Sequence, residues 1–286
     1  CAVAFTAFDG GNFQPFLPLG VAGVGAAAGQ VFFSYIGFDA ASTAGEEAKN
    51  PKRDLPIAII GSLVIVTIMY LLVTVAVIGA NGGQPSDYEG QSGEAILATI
   101  ANEVTGSTWA GTIIALGAVI SIFSVVLVTM YGQTRILFAM GRDGLLPKTF
   151  TKVNPRTQTP VNNTIIVTII IATLAAFIPL GQLAEATSIG TLFAFMIVNA
   201  GVISLRRSRP NMPRSFKTPL YPITPILGVV GCLYLIASLA WITWVVFFAW
   251  LAIGMIIYFT YGIKRSRLAR GEPDDWTPDP EPPLVS

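Results

Sequence analysis

Long apolar runs separated by short polar intervals dominate this chain. Crossing the hydrocarbon of a bilayer takes about 20 largely apolar residues in helical form. Seven segments meet that length or approach it: residues 19–48, 57–80, 109–138, 163–179, 186–205, 223–239 and 242–263. They predict an all-α integral membrane protein with an amino-terminal segment over 1–18 and a tail over 264–286. The first run is too long for one straight span. From Pro18 to Ala48 there are 31 residues without an internal proline, which at about 1.5 Å each make a helix of roughly 46 Å against a core of about 30 Å. The run must tilt or break, and Gly37-Phe38-Asp39 marks the place. Glycine is a weak helix former, and an ionised acid inside the membrane costs about 2.5 to 3.5 kcal/mol on insertion scales. An interruption there frees carbonyls and amides to face a cavity, and such breaks accompany substrate and ion sites in secondary transporters. Gly25 and Gly29 suit a close-packed seam with another helix. Asn50-Pro51 stops the run, and Asp54 with Pro56 opens the next.

Charge then gives the spans a direction. All 17 Lys and Arg fall at or after the odd-numbered runs: Lys49 to Arg53, Arg135 to Arg156, Arg206 to Lys217 and Lys264 to Arg270. The opposite intervals carry acids only, namely Asp9, Asp87, Glu89, Glu94, Glu103 and Glu185. The positive-inside rule therefore puts the amino end outside and the carboxyl tail in the cytoplasm, with the plasma membrane as the expected location. A water-soluble helical bundle would have no reason to sort its cations in this way. Composition agrees, with 53% hydrophobic residues, 12% charged residues and a mean hydropathy of +0.66. The net charge of +1 gives no nucleic-acid signal. From Gly271 onward the chain is acidic and rich in proline, a composition that predicts disorder.

Histidine is absent, which leaves carboxylates as the candidate proton carriers. The two cysteines, Cys1 and Cys232, support neither a disulfide framework nor a metal site, so no metal and no cofactor is expected. No nucleophile–base pair suggests an enzyme. Glu46 and Glu47, where the first run meets the cytoplasm, read either as solvated interfacial charge or as a gate pairing with a cation such as Arg135 or Arg142. A chain that opens on Cys1, with no leader-like segment, reads as a piece of a longer protein, and a processed or trimmed chain would look the same.

Four stretches, in order, resemble one family. FFSYIGFDAASTAGEEAKNPKRDLP, beginning at Phe32, is similar to the sixth helix and following loop of transporters of the amino acid-polyamine-organocation superfamily, above all its cationic amino acid transporter branch. YGQTRILFAMGRDGLLP, from Tyr131, resembles the end of that family's eighth helix. RPNMPRSFKTPLYPITPILG, from Arg209, resembles the loop into its eleventh, and NFQPFLPLG, from Asn12, the approach to its sixth.

The resemblance implies the carboxyl-terminal half of a twelve-helix permease: helices six to ten as the second inverted repeat, then eleven and twelve, with the first five helices missing. It implies an amino acid substrate, a proton as coupling ion and transport by alternating access. It also assigns residues. The carbonyls of Phe33, Ser34 and Ile36, beside Gly37, would receive the substrate ammonium, with the Phe33 ring as a lid. Asp39 would take part in proton coupling, Phe123 would line the pocket, and Ser121 and Ser124 would touch the pocket or the missing helices. A half-helix ending at 33–36 has unpaired carbonyls and a negative dipole end, which suits an ammonium. Two other membrane classes compete. A seven-helix receptor leaves the break and all four stretches as coincidences, and a channel calls for a carbonyl filter or a charged ring, which no stretch here resembles.

Overall fold

A computed structural model describes residues 7–17, 19–38, 50–81, 95–154, 156, 159–210, 216–266 and 269–271. Every regular element among the described residues is helical. In chain order they are α1 (Gly20–Val31), α2 (Pro51–Asn81), α3 (Ile96–Thr105), α4 (Trp109–Arg142), α5 (Val161–Phe177), α6 (Leu180–Ser208), α7 (Ile223–Ala237) and α8 (Trp241–Ile257). α8 runs on through a π-turn, Tyr258–Gly262, into Ile263–Arg265. Four of these are long and apolar enough to cross a membrane: α2, α4, α6 and the extended α8. α1, α5 and α7 are shorter apolar helices.

The observed limits add to the pattern-based reading in two places. α6 begins at Leu180, so Glu185 is not in the interval before the run but more than one turn inside the helix. α3 occupies part of the interval between the second and third runs, where acids alone gave no helix signal. It is short and buries Ile100. Gly106, at φ 62°, ends it in the left-handed conformation typical of a helix C-cap. The Asn102 side chain then accepts the Gly111 N–H at 2.8 Å, tying α3 to the first turn of α4.

The chain divides into two compact units. One comprises Cys1–Thr129 and Gly181–Ala240, the other Met130–Leu180 and Trp241–Ser286. In the first unit α6 supplies fully buried side chains, Ser188, Ile189 and Leu192, with Cys232 and Ile236 of α7 buried as well. α1 packs on α7 through its glycines. A Cβ on Gly25 would lie 2.5 Å from the Tyr234 hydroxyl, and one on Gly29 would lie 3.0 Å from Leu239 Cδ2. The seam expected at Gly25 and Gly29 is therefore a helix contact that larger residues would wedge apart.

Before α1 the chain folds back on the end of α2. Asp9 donates its N–H to the Gly79 carbonyl at 2.8 Å, the Asn12 amide donates to the same oxygen at 2.9 Å, and the Phe8 ring covers Gly79. A carbonyl in the last turn of a helix has no partner within the helix, and these two donors supply it. At the other end of α2, Asp54 accepts the Asn50 N–H at 3.3 Å, which satisfies backbone just ahead of Pro51.

In the second unit Asn163 is fully buried on α5 and donates from its amide to the Thr134 carbonyl of α4 at 2.8 Å. The chain leaving α4 turns at Gly144, φ 81°, directly against the end of α8.

Candidate substrate site at the broken helix

The first apolar run is broken. Regular α-helix stops at Val31, and Phe32–Tyr35 form a tighter 3-10 turn. Ile36 is then extended, with φ −64° and ψ 134°, and Gly37 takes φ 121°. The interruption starts at Phe32, five residues before the Gly37-Phe38-Asp39 stretch that length and composition pick out. Two aromatic residues in a row, Phe32 and Phe33, fill that turn, and their rings make no demand for regular helix. Gly37 is required by its backbone alone. Nothing lies within 4 Å of a Cβ built there, but a φ of 121° is one that side chains rarely adopt.

Leaving the helix changes who holds the carbonyls. Phe33 O accepts the Ile36 N–H at 3.1 Å, closing the turn. Ser34 O accepts the Tyr70 hydroxyl of α2 at 2.7 Å. The Tyr70 ring also meets Tyr35 edge-on, with centroids 5.2 Å apart. Each carbonyl keeps a second lone pair, so both can still accept from an ammonium. On another side, Phe195 of α6 contacts two rings of the break, Phe32 at 6.2 Å and Phe38 at 5.4 Å. One turn before the break, the Gln30 amide lies 3.5 Å from Glu185 of α6. α6 therefore runs beside the break in the same chain direction as α1, from Glu185 next to Gln30 to Phe195 next to Phe38.

The arrangement is a strip of backbone acceptors edged by aromatic rings. Removing one hydroxyl tests its main support. Tyr70→Phe keeps the edge-on contact and deletes the bond to Ser34, with an expected loss of about 0.5–1.5 kcal/mol of stability. Thermal denaturation of the purified protein will show a lower midpoint for Tyr70→Phe and a lower one still for Tyr70→Leu, which also removes the ring.

The other residues singled out in the sequence fall as follows. Phe33 is 39% exposed at the break. Phe123 is 67% exposed on α4, and Ser121 and Ser124 are exposed beside it, so the fold does not bury these three against the break. Arg135 lies in the other unit, its guanidinium 4.6 Å from the centre of the Tyr131 ring. Asp39, Glu46 and Glu47 lie outside the described residues, and with them the acid side of the expected gate. The sequence pattern marks neither Phe195 nor Glu185 for this site, and Tyr70 stands out only as a polar-tipped aromatic within an aliphatic run.

The profile of a family described as "Amino acid permease" matches residues 1–260. A branched-chain amino acid permease, BcaP, of Bacillus subtilis is 43% identical over 257 residues, covering 90% of this chain and 54% of that protein. A methylthioribose transporter of the same organism is 40% identical, again over 90% of this chain and 54% of its own length. Cationic amino acid transporter 1 of Arabidopsis thaliana is 38% identical over 202 residues, which is 71% of this chain and 33% of that protein. The chain thus spans about half the length of the two bacterial relatives and a third of the plant one.

Proposed function

Because this chain belongs to the amino acid permease family, we propose that it is the carboxyl-terminal half of a secondary active amino acid transporter that works by alternating access. The observation that carries the reading is the break at Phe32–Gly37 within an otherwise apolar run. A lipid-facing helix gains nothing from giving up its hydrogen bonds, whereas a transport pathway gains a place to bind a polar solute. In this reading the seven apolar runs all span the bilayer, with the amino end outside and the carboxyl end in the cytoplasm.

The substrate ammonium binds at the carbonyls of Phe33, Ser34 and Ile36. A free ammonium brings three donors, and the negative end of α1 points toward them. The Phe33 ring closes over the bound substrate, and the bond from Tyr70 fixes Ser34 O in position. The substrate carboxylate is bound by residues of the missing half. Asp39 couples a proton to the cycle. Relatives named for branched-chain and for cationic amino acids both fit a site that recognises the backbone ammonium common to the two.

Uptake by the full-length protein in proteoliposomes tests this directly. Labelled leucine or arginine is expected to enter saturably and to be displaced by unlabelled amino acids, and Phe33→Ala is expected to raise the KM by about tenfold, the equivalent of losing about 1.4 kcal/mol of binding. Methylthioribose is the sharpest competitor, since a relative named for it matches as fully as the amino acid permease does. It has no ammonium. Uptake of methylthioribose with no saturable uptake of any amino acid would overturn the assignment of the break to an ammonium.

A further inference from the structure

The second unit collects positive charge at one end. α4 finishes at Arg142, the chain turns at Gly144, and a 3-10 turn, Lys148–Thr151, leads toward α5. This loop lies against the end of α8. A Cβ on Gly144 would run into the carbonyl oxygen of Arg265, and one on Gly262 would lie 3.5 Å from the Leu145 side chain. Loop and helix end together present Arg142, Lys148, Lys152, Lys264 and Arg265, all exposed. Asp143 is the one acid among the described residues of this unit.

An exposed apolar strip leads straight to these cations. Ile253, Ile256, Phe259 and Ile263 are each between 42% and 61% exposed along α8, and Lys264 and Arg265 follow at once. Arg265 folds back on the helix, its guanidinium 4.5 Å from the centre of the Tyr261 ring and its Nη1 3.2 Å from the Tyr261 hydroxyl. A tyrosine with an apolar body and a polar tip at the end of an apolar run marks headgroup depth.

We propose that this end of the second unit binds the headgroup phosphate of an anionic phospholipid, with the acyl chains lying along the exposed strip of α8. Two elements that touch at Gly144 and Arg265 carry exposed cations where the apolar run stops, which is where the phosphate of a lipid sits. Arginine offers a planar fork for its oxygens, and lysines add point charges. A soluble anion would explain the cations but not the strip that leads to them. The acidic residues that follow Gly271, from Glu272 to Glu281, are the competing occupant.

The test counts lipids and is independent of transport. The full-length protein is placed in bilayers of phosphatidylcholine and phosphatidylglycerol, extracted gently, and weighed with its retained lipids. Phosphatidylglycerol is expected to be enriched over phosphatidylcholine. The variant carrying Arg142→Gln, Lys148→Gln, Lys152→Gln, Lys264→Gln and Arg265→Gln should lose that enrichment by about fivefold or more, since each surface cation contributes to the attraction. A companion carrying Lys52→Gln, Arg53→Gln, Arg206→Gln, Arg207→Gln and Lys217→Gln makes the same charge change in the first unit, and should lose less than about twofold. Should the fivefold-substituted protein not fold, Lys148→Gln and Lys264→Gln singly should each show part of the loss. Equal losses in the two multiple variants, or no loss in either, would overturn the proposal. So would a protein that shows no enrichment when intact and gains it on truncation after Gly271, because the acidic residues would then be the occupant.

Discussion

Asp39→Asn in the full-length protein will exchange internal for external amino acid at close to the normal rate, yet fail to accumulate it against a gradient when only a proton gradient is imposed. An ionised carboxylate within an apolar run is expensive to hold, and a neutral one is much less so, so alternation between the two states is a natural way to carry a proton. One proton moving down about 100 mV releases about 2.3 kcal/mol, enough for roughly fifty-fold accumulation of a neutral amino acid. Asparagine keeps the shape and most of the hydrogen-bonding capacity of the side chain and removes the titration. Proteoliposomes read the two activities separately, counterflow for exchange and gradient-driven uptake for coupling. A variant that accumulates substrate to the wild-type ratio would make Asp39 a structural residue and direct the search for the proton site to other residues of the protein.

Gly37→Ala will cut the initial rate of uptake by about tenfold or more, a barrier increase of about 1.4 kcal/mol. The cost arises in the backbone. At φ 121° a side chain is strained, and residues held in such regions cost about 1–3 kcal/mol, so the variant relaxes by moving Ile36 and the carbonyls before it. Space plays no part, because nothing lies within 4 Å of a Cβ at this position. Gly61 provides the control. It has equally open surroundings and sits in α2 without an unusual φ, so Gly61→Ala should leave uptake unchanged and the helix slightly more stable. Equal effects of the two substitutions would show that the conformation of Gly37 is not what matters.

The helical architecture was legible because length and apolarity are properties of a single run. Helix α4, with Trp109 as its first residue, needed nothing else. The break was legible for the same reason, since 31 residues are too many for one straight span and Gly37-Phe38-Asp39 is the weakest place in them. Its actual start at Phe32 was not, because the tightening into a 3-10 turn is held by Tyr70 and by Phe195, residues 38 and 163 positions further along the chain. Local pattern carries no information about which distant ring will meet which. The same limit hid the contact between Gln30 and Glu185. Helix α3 escaped for a different reason: in ten residues an amphipathic pattern is too short to stand out from a loop. On α4 the resemblance assigned Phe123 to the pocket and Ser121 and Ser124 to the pocket or to other helices, and all three are exposed.

Helix α2 holds the chain on both sides of α1. The Gly79 carbonyl accepts from Asp9 and Asn12 ahead of it, and the Tyr70 hydroxyl donates to the Ser34 carbonyl just behind it. The two anchor points are nine residues apart, about 13 Å along the helix axis. The chain around α1 is thus pinned to α2 at both ends like a frame, and in the proposed transport cycle the two helices would move together. The free joint lies beyond the second pin, at Ile36 and Gly37, where the chain first departs from the frame.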